Sequence, residues 1–101
     1  MKTRFDWDPV KAAANERKHG IDFDSALAAF GDPFALLRFE RVEDGEQRWQ
    51  TIGAAKGYLL LLVVHTIRET MENGEEIEVV RIISARRADR SERRRYEDEA
   101  R

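Results

Sequence analysis

The sequence predicts an α+β domain in which two helices come first, an antiparallel sheet of about four strands follows, and one helix ends the chain. Two observations predict this order. Apolar residues recur at helical spacing before Pro33, whereas short apolar or β-branched runs, separated by turn dipeptides, come after it. A length of 101 residues with 42% hydrophobic content fits one modest core, so we expect a single domain over residues 1–101.

The first helix is predicted to begin at Asp8 and end at Gly20. Asp8 can accept the free amide protons of the first turn, and Pro9 is tolerated at the first helical position. Gly20 can adopt the left-handed conformation that ends a helix. The core-facing side is expected to be a narrow apolar stripe of Val10, Ala13 and Ala14.

A second helix is predicted directly after the first. Asp22 can cap it, and Gly31 and Pro33 stop it. Its buried face follows the i, i+3, i+4, i+7 spacing, with Phe23, Ala26, Leu27 and Phe30.

Four strands are predicted at 34–39, 47–54, 58–66 and 77–85, and a last helix at about 88–99. Asp44-Gly45 and Asn73-Gly74 are turn dipeptides, which favour hairpins and an antiparallel sheet. The third and fourth strands are apolar nearly throughout, as is typical of central strands covered on both faces.

A tight turn at Asn73-Gly74 also predicts a register, because it pairs Glu72 with Glu75. Counting outward places Thr66 opposite Arg81, and His65 opposite Ile82. Alternation then puts two sets on opposite faces, Arg68, Thr66 and Arg81 on one and His65, Ile82, Ser84 and Arg86 on the other. A bulge of one residue would reverse part of this assignment.

Arginine is concentrated near the end of the chain. Between Arg86 and Tyr96 the sequence contains six arginines and only two acidic residues, Asp89 and Glu92. The whole chain nevertheless has a net charge of -2. Such a patch on an acidic protein favours a phosphate-bearing partner. The alternative is a solvated helix face with weak ion pairs.

Composition disfavours several classes of site. The chain has no cysteine and two histidines, His19 and His65, which disfavours a disulfide framework and a metal centre. No hydrophobic signal region follows Met1, and the longest apolar run, 58–64, is too short to span a membrane as a helix. We therefore expect a cytoplasmic protein with no cofactor and no membrane contact.

Four separated segments carry a family resemblance. They are Phe5-Asp6-Trp7-Asp8 with Lys11 and Asn15, Lys18-His19-Gly20-Ile21 with Phe23, Arg48-Trp49 with Ile52-Gly53, and Arg81-Ile82-Ile83-Ser84-Ala85-Arg86 with Glu92 and Tyr96. In this order they resemble the BrnT family, small bacterial ribonuclease toxins of type II toxin-antitoxin systems. The resemblance implies a RelE-like toxin fold with an open basic surface for RNA. It also implies a BrnA-like ribbon-helix-helix antitoxin as partner, and DNA contact only through the antitoxin complex.

RNA can be cleaved without a metal if a base, an acid and a cation surround the scissile phosphate. Arginine suits the cationic role because its planar fork binds two phosphate oxygens. Arg81 and Arg86 are the first candidates, because a strand holds them in place, and Arg48 and Arg68 follow. For Arg81 the alternative is a structural ion pair with an acidic residue on a neighbouring strand.

His65 is the candidate base or acid on a strand, and the alternative is a partly buried core histidine. Glu92 and Tyr96 share one helix face and could act together. The alternatives are an arginine partner for Glu92 and ring packing for Tyr96. Trp49 could stack on a base or anchor the core. Together with Arg48 and Trp49, the proposed RNA contacts are Arg87 and Arg90.

The sequence and the resemblance together predict a metal-independent endoribonuclease toxin that cuts cellular RNA and is neutralised by its antitoxin. The runner-up is a non-catalytic binding partner and co-repressor of a DNA-binding antitoxin, in which the same arginines form an interface. A homodimer in the absence of antitoxin is left open.

Overall fold

The computed structural model describes residues 2–55 and 59–99. In chain order the elements are β1 (Lys2–Asp6), α1 (Pro9–His19), α2 (Phe23–Ala26), a 3-10 helix (Leu27–Gly31), β2 (Leu36–Glu43), β3 (Glu46–Ala54), β4 (Leu60–Glu72), β5 (Glu75–Arg87) and α3 (Arg90–Glu99). The start of the predicted third strand, at Tyr58, lies outside the described residues.

The five strands form one mixed sheet in the order β1-β5-β4-β3-β2. β1 is parallel to β5, and the other neighbours are antiparallel. The prediction of about four antiparallel strands with two helices first was therefore wrong in strand number and in its first element. β1 carries the exposed residues Lys2, Thr3 and Arg4 and pairs with a strand far along the chain, so neither alternation nor a hairpin turn indicates it.

α1 has the predicted ends but not the predicted face. Asp8 accepts a hydrogen bond from the Val10 amide at 2.9 Å, and Gly20 closes the helix with φ 73°. The apolar stripe was wrong, because Val10 is 76% exposed and Asn15 is the buried residue of the helix.

The second predicted helix is a short α-helix that continues as a 3-10 helix. Asp22 caps it by accepting from the Ser25 amide at 3.0 Å, and the core residues Phe23 and Ala26 lie on its predicted inner face. The 3-10 helix lies so close to β3 that a Cβ on Gly53 would overlap the carbonyl oxygen of Ala29. The 3-10 helix is wound more tightly than an α-helix, and its residue Ala29 is part of the core.

The β4–β5 hairpin has the predicted turn, with positive φ angles at Asn73 (52°) and Gly74 (80°). Thr66 pairs with Arg81 and His65 with Ile82, which confirms the predicted register. Beyond this point Val64 pairs with Ser84, so one residue of β5 is bulged out.

This bulge corrects the predicted faces. Ser84 and Arg86 lie on the face of Val64 and Leu62, opposite to that of His65. Their predicted grouping with His65 was therefore wrong.

The two sheet faces pack against different helices. On the α1 face, Leu61, Val63, Ile82 and Ala85 form a core with residues of α2 and the 3-10 helix. On the α3 face, Ile52, Leu60 and Leu62 pack against Ala88 and Tyr96. Within the described part of the chain, no helix is both long and apolar enough for a membrane span.

Candidate functional site

The first turn of α3 is held by a reciprocal cap. Asp89 Oδ1 accepts from the Glu92 amide at 2.8 Å, and Glu92 Oε1 accepts from the Asp89 amide at 2.8 Å. Arg86 donates two further hydrogen bonds to the Glu92 carboxylate, at 2.8 and 2.9 Å. The structure thus brings Arg86 and Glu92 together as an ion pair, which was the structural alternative for Glu92.

Electrostatics keep this pair charged. Burial acts to raise the pKa of Glu92, but hydrogen bonds from Arg86 and the Asp89 amide hold that pKa below its usual value. The hydrogen bond to Glu92 likewise raises the pKa of Arg86. The pair positions the start of α3 against the end of β5.

Tyr96 ties α3 to the segment before β2. Its hydroxyl donates to Asp32 Oδ2 at 2.6 Å, and the same oxygen accepts from the Ala54 amide at 2.8 Å. Burial raises the pKa of Asp32, but the Tyr96 hydroxyl and two amides outweigh burial and lower it. The bond to Asp32, aided by burial, raises the pKa of Tyr96 to about 12. The phenol therefore keeps its proton at neutral pH.

His65 is a buried residue of the α1 face, with 1% of its surface exposed. Its Nε2 lies 2.7 Å from Thr51 Oγ1, and its Nδ1 lies 3.3 Å from the Thr66 carbonyl oxygen. The ring of Phe30 meets it edge-on, with centroids 5.1 Å apart. Burial lowers the pKa of His65 more than the Thr66 carbonyl raises it. His65 is thus neutral at pH 7 and does not share a face with Arg81.

Arg68 and Arg81 are diagonal neighbours on the α3 face, since Arg68 pairs with Val79 and Arg81 with Thr66. Arg81 Nη1 binds Asp6 Oδ1 at 3.1 Å, while 49% of the arginine side chain stays exposed. This is the ion pair that the sequence left open. Arg68 is exposed and makes no ion pair with any described residue.

Arg48 and Trp49 point to opposite faces of β3. Arg48 pairs with Glu43 at 3.2 Å and is 19% exposed, and its buried Nε has no hydrogen-bond partner among the described residues. Trp49 lies on the α1 face, where its ring meets Phe39 edge-on at 5.5 Å. The two predicted RNA contacts on β3 therefore cannot bind one phosphate and its base from the same side.

Several cations lie along β5 toward its carboxyl end. They make no ion pair with any residue in 2–55 or 59–99. Together with Arg81 they form what we call the cationic track, which consists of Lys11, Lys18, Arg68, Arg81, Arg87 and Arg90. A cleft of about 260 Å³ between α1 and β5 contributes to it, and the described lining contains no carboxylate: Lys11, Ala14, Asn15, Lys18, His19, Ile83 and Ser84.

The comparison with family models decides the family. The model "Ribonuclease toxin, BrnT, of type II toxin-antitoxin system" matches residues 7–92. This chain belongs to the BrnT family. The matched region contains the whole cationic track and the Arg86–Glu92 pair, and it ends within α3 before Tyr96.

A solved BrnT structure shares the fold. The 1.1 Å crystal structure of the Brucella abortus ribonuclease toxin BrnT aligns with a TM-score of 0.50 and 22% sequence identity. The alignment covers 89% of this chain and all (100%) of that chain. The search of curated proteins found no match.

The BrnT site predicted from sequence is thus divided in space. Arg68, Arg81, Arg86, Glu92 and Tyr96 belong to the α3 side, and His65 is buried on the other. Their catalytic roles stay predictions. Within the described residues, no three His, Cys, Asp or Glu side chains cluster so that they could hold a metal ion.

Lys11 and Lys18 belong to the segments that carry the family resemblance, but the sequence assigns them no role in the site. A signal was present, because residues seven apart lie two turns apart on the same side of a helix. What the sequence did not show is that this side of α1 borders β5 through Asn15.

Proposed function

We propose that this BrnT-family chain is a cytoplasmic toxin that cleaves cellular RNA as a metal-independent endoribonuclease. A BrnA-like ribbon-helix-helix antitoxin would neutralise it, and the chain would reach DNA only within that complex. Family membership supports the toxin class. The cationic track is the observation that supports RNA as the substrate.

The track fits an extended polyanion. Arg68 lies beside Val79 on the α3 face, and Arg87 lies eight residues further along β5, about 26 Å at the usual strand rise, on the α1 face opposite Leu61. An RNA strand that follows these cations would pass around the edge of β5 beside α1, where β1 no longer pairs with it, and would release counterions as its phosphates meet them.

Arg68 and Arg81 are the proposed cations at the scissile phosphate. Their diagonal placement on a paired hairpin lets two guanidinium groups approach one phosphate and stabilise the charge that builds in the transition state. His65, Glu92 and Tyr96 remain the proposed proton-transfer residues. All three have hydrogen-bond partners in this structure, so RNA binding would have to break at least one of these bonds.

Cleavage of a structured RNA in excess EDTA tests the activity. We expect wild type to cleave and Arg81→Ala and Arg68→Ala each to lose roughly 100-fold in rate. Lys2→Ala is the matched control, because Lys2 pairs with Glu75 at the other end of β5. Intact RNA with EDTA and cleavage with added Mg²⁺ would contradict metal independence.

Binding of a labelled single-stranded RNA at increasing NaCl tests the track separately. We expect Arg87→Ala and Lys18→Ala each to reduce the slope of log K against log salt concentration by about 0.7. Lys2→Ala should leave the slope unchanged. Equal slopes in all variants would show that RNA does not follow the track.

The alternative is a non-catalytic partner and co-repressor of the antitoxin. The observation that favours it is that Arg81 and Arg86 are both paired with carboxylates while His65 is buried. Folded wild-type protein that leaves RNA intact at high excess, with or without Mg²⁺, would support this alternative.

A further inference from the structure

The α1 face of the β2–β3 hairpin carries an exposed strip of large apolar side chains. We call Leu37, Phe39, Val42 and Trp49 the apolar strip. Leu37 is 55% exposed, Phe39 48% and Val42 57%. Phe39 pairs directly with Trp49, so the strip is continuous across both strands.

A cleft of about 190 Å³ lies beside this strip, under the 3-10 helix. Residues from the 3-10 helix and from β2 to β5 line it, among them Phe30, Leu37, Thr51, His65, Ile67 and Glu78. Its walls are largely apolar, and the strip extends them toward β2. Neighbouring large apolar side chains that stay exposed together typically mark a contact site.

An acidic pair bounds the same surface on β4 and β5. Glu69 lies directly opposite Glu78 on the α1 face, and Glu76 lies on the same face two residues before Glu78. None of the three makes an ion pair with any residue in 2–55 or 59–99. Like charges placed opposite each other across two strands are destabilising, so a cation from outside would relieve them.

We infer that the apolar strip, its cleft and the Glu69–Glu78 pair dock an amphipathic helix of the antitoxin. The helix would place apolar residues on the strip and cleft, and Lys or Arg side chains over the two carboxylates. β2 and β5 are three strand spacings apart, about 14 Å, which accommodates a helix about 10 to 12 Å wide. The inference rests on the proposed function in taking the partner to be a protein antitoxin.

Charge favours this partner over a second copy of the chain. A twofold interface places the same patch on both sides, so Glu69 and Glu78 of one copy would find no cation in the patch of the other. The β2–β5 residues of this patch on the α1 face include no lysine or arginine up to Val80. A basic amphipathic helix supplies the missing charge.

Titration calorimetry with the product of the reading frame beside this gene, where the proposed function places the ribbon-helix-helix antitoxin, tests the inference. We expect Leu37→Glu combined with Val42→Glu, and separately Glu69→Lys combined with Glu78→Lys, to weaken binding at least about tenfold. Arg93→Glu combined with Arg94→Glu, on α3, is the control and should bind as wild type. All three double variants change exposed or half-exposed side chains, and circular dichroism checks their fold.

The inference would be overturned if both the Leu37/Val42 variant and the Glu69/Glu78 variant fold and bind with wild-type affinity. It would also be overturned if only the α3 variant lost affinity. Light scattering tests whether a second copy of the chain occupies the strip instead. If Leu37→Glu with Val42→Glu abolished a dimer but left the antitoxin affinity unchanged, the strip would be assigned to a second copy. Wild type that cleaves RNA but does not bind the neighbouring protein would overturn the inference alone. Wild type that binds it but leaves RNA intact would overturn the nuclease alone.

Discussion

Asn15 of α1 takes the place of a strand partner for Ala85 of β5. Its Nδ2 donates to the Ala85 carbonyl at 2.9 Å, and its Oδ1 accepts from the Ala85 amide at 3.1 Å. β1 pairs with β5 only as far as Arg81, so β5 would otherwise have a bare edge here. The side-chain amide of Asn15 therefore makes the hydrogen bonds that a neighbouring strand would make, beside the cleft between α1 and β5.

Asn15→Ala should destabilise the protein by about 2 to 4 kcal/mol. The change leaves the Ala85 amide and carbonyl and the Ile21 carbonyl without their buried partner. Urea unfolding measures the effect, and Arg17→Ala, at an exposed position of the same helix, is the control. A loss below about 0.5 kcal/mol would show that water or a backbone shift replaces Asn15.

Gly53→Ala should cost about 1 to 3 kcal/mol, because the added methyl group would overlap the Ala29 backbone. Gly31→Ala is the matched control, since a Cβ there meets no atom within 4 Å. Thermal unfolding of both variants compares them directly. Equal melting temperatures would mean that the 3-10 helix can move away from β3 without loss.

Tyr96→Phe should cost about 1 kcal/mol at neutral pH, because it removes a partly exposed hydrogen bond to a charged carboxylate. The folded pKa of Tyr96, about 12, lies above the ordinary value of 10.0. The stabilisation is therefore complete below pH 10 and is lost as the pH rises toward 12. The difference between the tyrosinate absorbance titrations of wild type and Tyr96→Phe measures that pKa. A midpoint near 10 would indicate that the bond to Asp32 does not form in solution.

His65 should make the protein less stable in mild acid. Its folded pKa lies below 6.5, so the unfolded chain binds a proton more readily as the pH falls below 6.5. The stabilisation is present above pH 6.5 and is lost toward the folded pKa. Urea unfolding at pH 7 and pH 5 measures this loss, which should persist in His19→Ala and disappear in His65→Gln. A loss of the same size in His65→Gln would assign it to other groups.

The ends of the helices and the turns could be predicted because their causes are local. Asp8, Gly20 and Asp22 cap helices through atoms within a few residues, and Asn73-Gly74 adopts the positive φ angles of a tight two-residue hairpin turn. The register of β4 and β5 near the turn followed from that geometry. The register failed only beyond the bulge, which no nearby residue type indicates.

Several features depended on contacts between distant segments. β1 joins the sheet through parallel pairing, and Asn15 is buried because β5 offers it an open edge. Asp6 and Arg81 meet only because β1 and β5 are neighbours. No periodicity in the chain encodes these pairings.

The sequence by itself determined the family, the α+β class and the concentration of arginine near the carboxyl end, because these depend on residue identity and short-range spacing. Only the tertiary structure decided which charges are paired, that His65 is buried, and that Ser84 and Arg86 lie on the face opposite to that of His65. The physical reason is that a single bulged residue in β5 exchanges the two faces beyond it, and burial and ion pairing depend on which distant side chains meet.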